Sequence, residues 1–407
     1  MDILIEEYES KLWAVALDQG RLDGLEIEPI NETVRYGSIY YGKVVRIDTS
    51  LDAAFINLDG EHTGILFNKD IRFRDEDNKI QKGGAKPIGK ILHPGDMVPV
   101  QAKSAHIHQP DNDLWFDENK NPQVSMDITL SGRYLIYCTM MDKNRISQRI
   151  RGKKLRERLE DMIASLDGLN GFILRSSAAD LQTEILDREA RILKNMWKGI
   201  SEYFTGNDPA LIALGPDSIQ RILSDKAIKP IERIEVVTMD HFTQTEEWCS
   251  IFAPDLVTKI SPVELDDAAQ DLALLSYRDV LGQIEALFQG YALLEHGGNI
   301  IIQETAALTA IDINKGSDKR SHLAANIDAA KEIARQLRIR NIGGPILVDF
   351  LNMNTKDKKV LLKTLDEETY GDACTVQIHG FTKLGLIEMT RKRRTASLDK
   401  RFEGINF

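Results

Sequence analysis

The chain has 407 residues, of which 42% are hydrophobic and 28% charged, and a formal net charge of −11 at pH 7. This balance is that of a globular protein of roughly two to four structural units, and the absence of any run of about 18 apolar residues excludes a membrane-spanning helix. A net negative charge argues against bulk affinity for nucleic acid, which requires clustered Lys and Arg, so any such affinity must reside in local basic stretches.

The acidic start, Met1-Asp2-Ile3-Leu4-Ile5-Glu6-Glu7, is too short in apolar residues for a secretory signal, and a cytoplasmic location is expected. Short apolar runs from Ile3 to Glu28 predict strands separated by turns such as Asp18-Gln19-Gly20. From Gly37 to Asp70, closely spaced strands punctuated by glycine (Ile39–Ile47, Ala53–Leu58 and Gly64–Phe67) predict a small closed barrel. The Lys-, Gly- and Asp-rich stretch Arg72–Gly95 reads as a mobile loop inside the barrel, and His106–Asn121 as a second exposed loop. Strands resume at Val124–Thr139. Residues Lys143–Arg158 hold eight basic side chains and one acid, Glu157. Such a run is either a solvated face or a backbone contact for nucleic acid. A strand at Gly171–Arg175, a helix at Ala179–Phe204 and a strand at Ile234–Val237 follow. Cys138, Cys249 and Cys374 form no C-x-x-C pair, which predicts neither a disulfide framework nor a zinc knuckle within the chain.

The C-terminal third is the most regular. Leu308–Asn314 reads as a strand, and Leu323, Ile327, Ala330, Ala334 and Leu337 repeat at helical spacing up to a stop at Gly343-Gly344. A buried-type strand at Ile346–Leu351 and a helix at Thr355–Thr369 complete a β-α-β-α order, and hence an α/β layer. Alternation along a strand puts Asp312 and Asn314 on one face and Ile311 and Ile313 on the core side. If the helix between them is a crossover, Asp349 lies on a parallel neighbouring strand. Two adjacent carboxylates repel unless a cation or a proton lies between them. Spacing alone leaves three readings open: a Mg²⁺ site for phosphoryl chemistry, a carboxylate pair for glycoside hydrolysis, and ordinary capping or turn aspartates.

Four stretches of the sequence resemble the bacterial ribonuclease E/G family. They are Leu308–Asn314, Ala324–Arg338, Gly343-Gly344-Pro345-Ile346-Leu347-Val348-Asp349-Phe350, and Lys383–Arg391. The resemblance extends over nearly the whole chain, more loosely at 72–121 and 194–275. It implies an α/β multidomain fold. An RNase-H-like subdomain is expected from residues 1–36 and 222–285, with an OB-fold RNA-binding barrel at 37–126 inserted into it. A 5′-sensor subdomain at 127–221 and a DNase-I-like catalytic subdomain with a basic tail at 286–407 follow. By resemblance, Asp312 and Asp349 hold Mg²⁺ (or Mn²⁺), Asn314 assists, and Lys383 stands near the scissile phosphate where the family usually has Arg. Phe55, Phe67, Lys43 and Lys120 are the implied RNA-binding residues. Phe67 lies two positions beyond Ile65, which occupies the place of the family's second aromatic. Gly132, Ile136, Arg149, Arg175 and Ser176 are the implied pocket for a 5′-monophosphate, with Ser176 replacing the commoner Thr.

The implied activity is cleavage of single-stranded, AU-rich RNA to 5′-phosphate and 3′-hydroxyl ends, stimulated by a 5′-monophosphate, in RNA processing or decay. The longer family members continue into a C-P-x-C zinc link and a small dimerisation domain. This sequence stops at Phe407 before either, so no zinc is expected, and a monomer or a dimer built through another surface is. The competing expectation is a non-catalytic RNA-binding protein that retains the fold.

Overall fold

The structure is a computed structural model that describes residues 1–8, 11–29, 32–107, 121–148, 150, 153–164, 166, 168–178, 181–226, 229–263 and 273–402. The chain is mixed α/β and divides into two compact units. One comprises residues 1–30, 218–249 and 255–407, and the other 31–217 and 250–254. No helix among the described residues is long and apolar enough to cross a membrane.

The first unit contains a five-stranded sheet in the order Ile260–Pro262, Arg233–Val236, Asp2–Tyr8, Lys11–Asp18, Arg21–Ile27. Lys11–Asp18 is buried along almost its whole length, as its apolar run Leu-Trp-Ala-Val-Ala-Leu requires. Gln19 and Gly20, both with positive φ (52° and 78°), make the turn into the next strand. Asp2–Tyr8 pairs in parallel with Arg233–Val236, Ile3 opposite Ile234. Glu6, 4% exposed, accepts hydrogen bonds from the Leu274 and Leu275 backbone N–H groups at the start of the helix Ala273–Tyr277.

The same unit holds a six-stranded sheet in the order Tyr291–Leu293, Asn299–Glu304, Thr309–Asn314, Gly344–Asp349, Ile387–Arg391, Val376–Phe381. Its inner face forms one core with the helices His322–Ile339 and Thr355–Glu368. Ile311, Ile313, Ile346 and Val348 pack there with Ala330, Ile333, Leu337, Leu361 and Leu365. The side chains of Asp312, Asn314, Asp349 and Glu388 are exposed on the other face. The expected β-α-β-α order is present. The helix stop is not at Gly343-Gly344 but two residues earlier, at Asn341, whose φ is +52°. The Asn341 N–H bonds to the Arg338 carbonyl at 3.1 Å, and the Ile342 N–H to the Leu337 carbonyl at 3.0 Å. A left-handed residue is needed to close these two bonds, and asparagine supplies it almost as well as glycine.

In the second unit, strands Ile39–Asp48, Ala53–Asn57, Thr63–Phe67, Gln123–Ser125 and Met97–Ala102 close into a five-stranded, OB-like barrel, the last strand pairing back onto the first. A Cβ on Gly42 would sit 2.5 Å from the Ile56 side chain, so the barrel closes only around a glycine there. The stretch Arg72–Gly95 differs from the mobile loop expected. It contains a hairpin, Arg72–Arg74 with Ile80–Lys82, and a single helical turn, Ile88–Lys90. Buried Asn68 pins it. Its side-chain amide donates to the Asp52 carboxylate and the Lys86 carbonyl, both at 2.7 Å, and accepts from the Gly84 N–H at 2.9 Å. The glycines and lysines there encode tight turns held by side-chain bonds. Beyond the barrel lies a sheet in the order Thr129–Ser131, Leu135–Cys138, Phe172–Leu174, Arg145–Ile146, with helices Lys153–Ala164 and Thr183–Ser201. The second helix is shorter at both ends than the span Ala179–Phe204 expected.

Candidate active site and nucleic-acid surfaces

Asp312 and Asp349 are register partners on adjacent parallel strands. Neighbouring strands lie ~4.8 Å apart, and paired residues present their side chains on the same face. Ile311 and Ile313, 2% and 4% exposed, anchor the strand in the core and turn Asp312 and Asn314 outward. Neither carboxylate has a hydrogen bond or an ion pair among the described residues. The Asn314 side-chain amide donates to the Asn299 side chain, its register partner, at 3.3 Å. Lys383 is exposed in the turn joining Val376–Phe381 to Ile387–Arg391, which the Thr382 N–H closes on the Leu386 carbonyl at 2.8 Å. Because Val348 pairs with Ile387, that turn lies at the Asp349 end of the sheet.

The loop after Asn314 is fixed by contacts invisible in the sequence. A Cβ on Gly298 would lie 2.6 Å from the Asn314 carbonyl oxygen, and one on Gly316 2.4 Å from the Gly297 carbonyl oxygen. Only glycines let the two backbones approach so closely. The Arg320 guanidinium bonds to Asp318 at 2.7 Å and to Asp328 at 2.5 Å, and His296 Nδ1 lies 2.8 Å from Asp328. Hydrogen bonds from the Arg320 side chain and backbone hold the Asp318 carboxyl down at about 2. Burial disfavours the charged form of Asp328, yet bonds from Arg320 and His296 keep it below the usual carboxylate range. On the far side, wholly buried Asn326 donates to the Leu351 carbonyl at 2.8 Å and accepts from the Leu351 N–H at 3.0 Å, two residues after Asp349.

The donor set suits a hard divalent cation. Two water-facing carboxylates beside a neutral amide, with no thiol or imidazole between them, is the pattern by which Mg²⁺ is held through one or two carboxylates and its own waters. Among the described residues no group of three or more His, Cys, Asp or Glu side chains could hold a metal ion, and the candidate donors at this place are the two carboxylates.

On the outer face of the barrel, Phe55 pairs with Ile65, and Phe67 lies two residues further along that strand. Both phenylalanines are partly exposed and outside the barrel core. The Arg46 guanidinium lies 3.7 Å above the Phe55 ring centroid, and the Lys69 ammonium 5.6 Å from that of Phe67. Neither cation was singled out from the sequence; the spacing of Arg46 to Phe55 is set by a bulge in the strand pair. Lys43 is on the same face, and its ammonium donates to the Asn207 carbonyl at 3.3 Å. Lys120 and Arg149 lie outside the described residues.

Gly132, Ile136, Arg175 and Ser176 gather on the four-stranded sheet. Ile136 pairs with Ile173, and the Arg175 guanidinium donates to the Gly132 carbonyl at 2.9 Å. Ser176 opens a single helical turn, Ser176–Ala178. Beneath them is Glu189, 3% exposed, accepting from the Tyr134 and Leu135 N–H groups at 2.9 and 2.8 Å. Burial pushes its carboxyl up to about 7, against the two backbone bonds and the nearby Arg175 and Arg133. A Cβ on Gly132 would lie 2.2 Å from the Glu189 carboxylate, which explains the glycine.

A family model described as "Ribonuclease E/G family" matches residues 129–394, well over half the chain. The chain belongs to the ribonuclease E/G family. It is 29% identical over 410 residues to Ribonuclease G of Salmonella typhimurium (strain SL1344), covering 98% of this chain and 81% of that protein. It is 30% identical to Ribonuclease E of Haemophilus influenzae (97% of this chain, 42% of that protein) and 31% identical to Ribonuclease E of Synechocystis sp. (90% and 53%). Within this family member, the candidate carboxylate pair, the loop that Arg320 ties down and the Gly132–Arg175 contact all fall inside the matched span.

Proposed function

We propose that this chain is an endoribonuclease that hydrolyses single-stranded RNA with Mg²⁺, or Mn²⁺, held by Asp312 and Asp349. The observation that carries the reading is the pairing of these two exposed carboxylates, without cationic partners among the described residues, on the open face of a sheet whose other face is core. Asp312 and Asp349 would hold such a hard cation, which would supply polarisation of a phosphoryl oxygen and a lowered pKa of water. The chain's own residues do the rest. Asn314, oriented by Asn299, offers an amide N–H to a non-bridging phosphate oxygen. Lys383 places a point charge at the same end of the sheet, against the negative charge that builds in the transition state. Attack of water on phosphorus breaks the bond to the 3′ oxygen, leaving 5′-phosphate and 3′-hydroxyl ends.

Binding is assigned to the second unit. Phe55 and Phe67 suit base stacking, which is tolerant of sequence, and Lys43 suits the backbone; AU-rich substrates are the expected class by kinship. Arg175, with the Ser176 hydroxyl and neighbouring Gly132 and Ile136, suits a terminal 5′-monophosphate, since a guanidinium fork matches a phosphate dianion. On this reading, 37–126 is the RNA-binding barrel, 127–221 the 5′-sensor and 286–407 the catalytic subdomain.

The test is cleavage of a 5′-monophosphorylated, AU-rich single strand in Mg²⁺ by wild type and Asp349→Asn. Loss of metal-based charge stabilisation worth several kcal/mol predicts a fall in kcat of about 10²-fold or more. Equal rates would remove the carboxylate pair from the chemistry. Binding without cutting by either protein would make the chain an RNA-binding protein on a nuclease fold.

A further inference from the structure

We infer that Tyr291, with Leu293 beside it, is a stacking platform for one base of the RNA strand cut at Asp312 and Asp349; this rests on the ribonuclease reading above. Tyr291 pairs with Ile301, Ile301 with Asp312, and Asp312 with Asp349. Side chains in register share a face, so these four stand in one row across the open side of the sheet. A second row runs Leu293, Asn299, Asn314. Two strand spacings put Tyr291 ~10 Å from Asp312. At ~3.4 Å per stacked nucleotide that is no more than about three nucleotides from the scissile phosphate.

The chemistry of this strip differs from that of an ordinary sheet edge. Tyr291 is 46% exposed and Leu293 69%, and half-buried Ile301 continues the apolar surface up to Asp312. Edge strands usually carry charges that block pairing with other chains, whereas Tyr291-Ala292-Leu293 carries none. An apolar strip rimmed by Asn299, Asn314 and Gln303 is the form of a binding surface. It offers a ring to a base without adding negative charge opposite the phosphate backbone. The backbone that carries the ring is held by Arg340, which donates to the Gln289 carbonyl at 2.7 Å and the Tyr291 carbonyl at 3.2 Å.

The experiment measures binding and cleavage of a single-stranded RNA carrying 2-aminopurine, for wild type, Tyr291→Ala, Tyr291→Phe and Tyr291→Trp, with an abasic nucleotide moved through each position around the cut. Tyr291→Ala raises Kd and KM about 5- to 100-fold, the range of one base–aromatic stack, with kcat little changed and the melting temperature retained. Phe and Trp retain wild-type binding. One abasic position within about three nucleotides of the cut reproduces the loss in wild type and adds nothing in Tyr291→Ala, the signature of a coupled pair. Unchanged Kd in Tyr291→Ala, or additive losses at every abasic position, overturns the inference. A wild type that binds RNA without cutting it sinks the nuclease reading while the binding arms still decide Tyr291. A wild type that neither binds nor cuts overturns both.

Discussion

Glu189 links the candidate phosphate pocket to pH. Its carboxyl is raised from 4.5 to about 7, chiefly by burial. Between those values the folded protein holds a proton that the unfolded chain has released, so stability is full below pH 4.5 and falls as pH rises through about 7. The loss is on the order of 3 kcal/mol at most. The melting temperature is therefore expected to drop between about pH 5 and 7.5. Glu189→Gln is expected to flatten that slope, because an amide oxygen still accepts from Tyr134 and Leu135 and no charge is created. A slope unchanged by the substitution would place the titrating group elsewhere. On the barrel, the Arg46 guanidinium already lies on the Phe55 ring. A guanidinium plane stacks on bases as well as on rings, so under the proposed RNA-binding role of Phe55, Arg46 would extend the surface it offers.

At the scale of elements, the strand carrying Asp349 is held from the helix behind it. Asn326 is wholly buried in His322–Ile339, and its amide takes both backbone groups of Leu351. A buried residue with two such bonds sets where the strand ends, and with it the direction of Asp349. Asn326→Ala strands the Leu351 N–H and carbonyl and is expected to cost about 1–3 kcal/mol. Measured well below the melting temperature, it is also expected to lower kcat and raise the Mg²⁺ concentration needed for half-maximal rate while leaving RNA affinity unchanged. If stability alone changed, Asn326 would be a packing residue without influence on the site. At its other end the same helix is closed by Asn341, whose side chain donates to the Thr395 and Ala396 carbonyls at 3.0 and 2.7 Å and accepts from buried Arg391 at 3.0 Å. That asparagine serves both as the left-handed residue and as a tie to the C-terminal segment, which glycine could not do.

At the scale of the whole molecule, the chain forms two compact units, and the first is assembled from three separate stretches. Each has its own buried core, the first around Ile311, Ile346 and Leu337 and around Trp13 and Val15, the second around Val44, Ile56 and Val100. Multidomain chains commonly depart from two-state behaviour. Calorimetry is accordingly expected to give a van't Hoff enthalpy below the calorimetric one, and Glu189→Gln to move only the component that reports the barrel-containing unit. A single transition with equal enthalpies would show the two cores melting as one. Much of this organisation is legible from residue patterns. The alternation Ile311-Asp312-Ile313-Asn314, the helical spacing after it and the glycine-punctuated barrel strands are local periodicities of two and 3.6, which the backbone enforces wherever they occur. The amino-acid sequence alone thus determined the β-α-β-α segment, the barrel and the outward face of Asp312. It could not determine that Asp2–Tyr8 pairs with a strand more than 200 residues away, that Glu189 lies beneath Gly132, or that Tyr291 stands in one row with Asp312 and Asp349. Those relations depend on register and packing between distant segments, which no local pattern encodes and only the assembled sheets and cores decide.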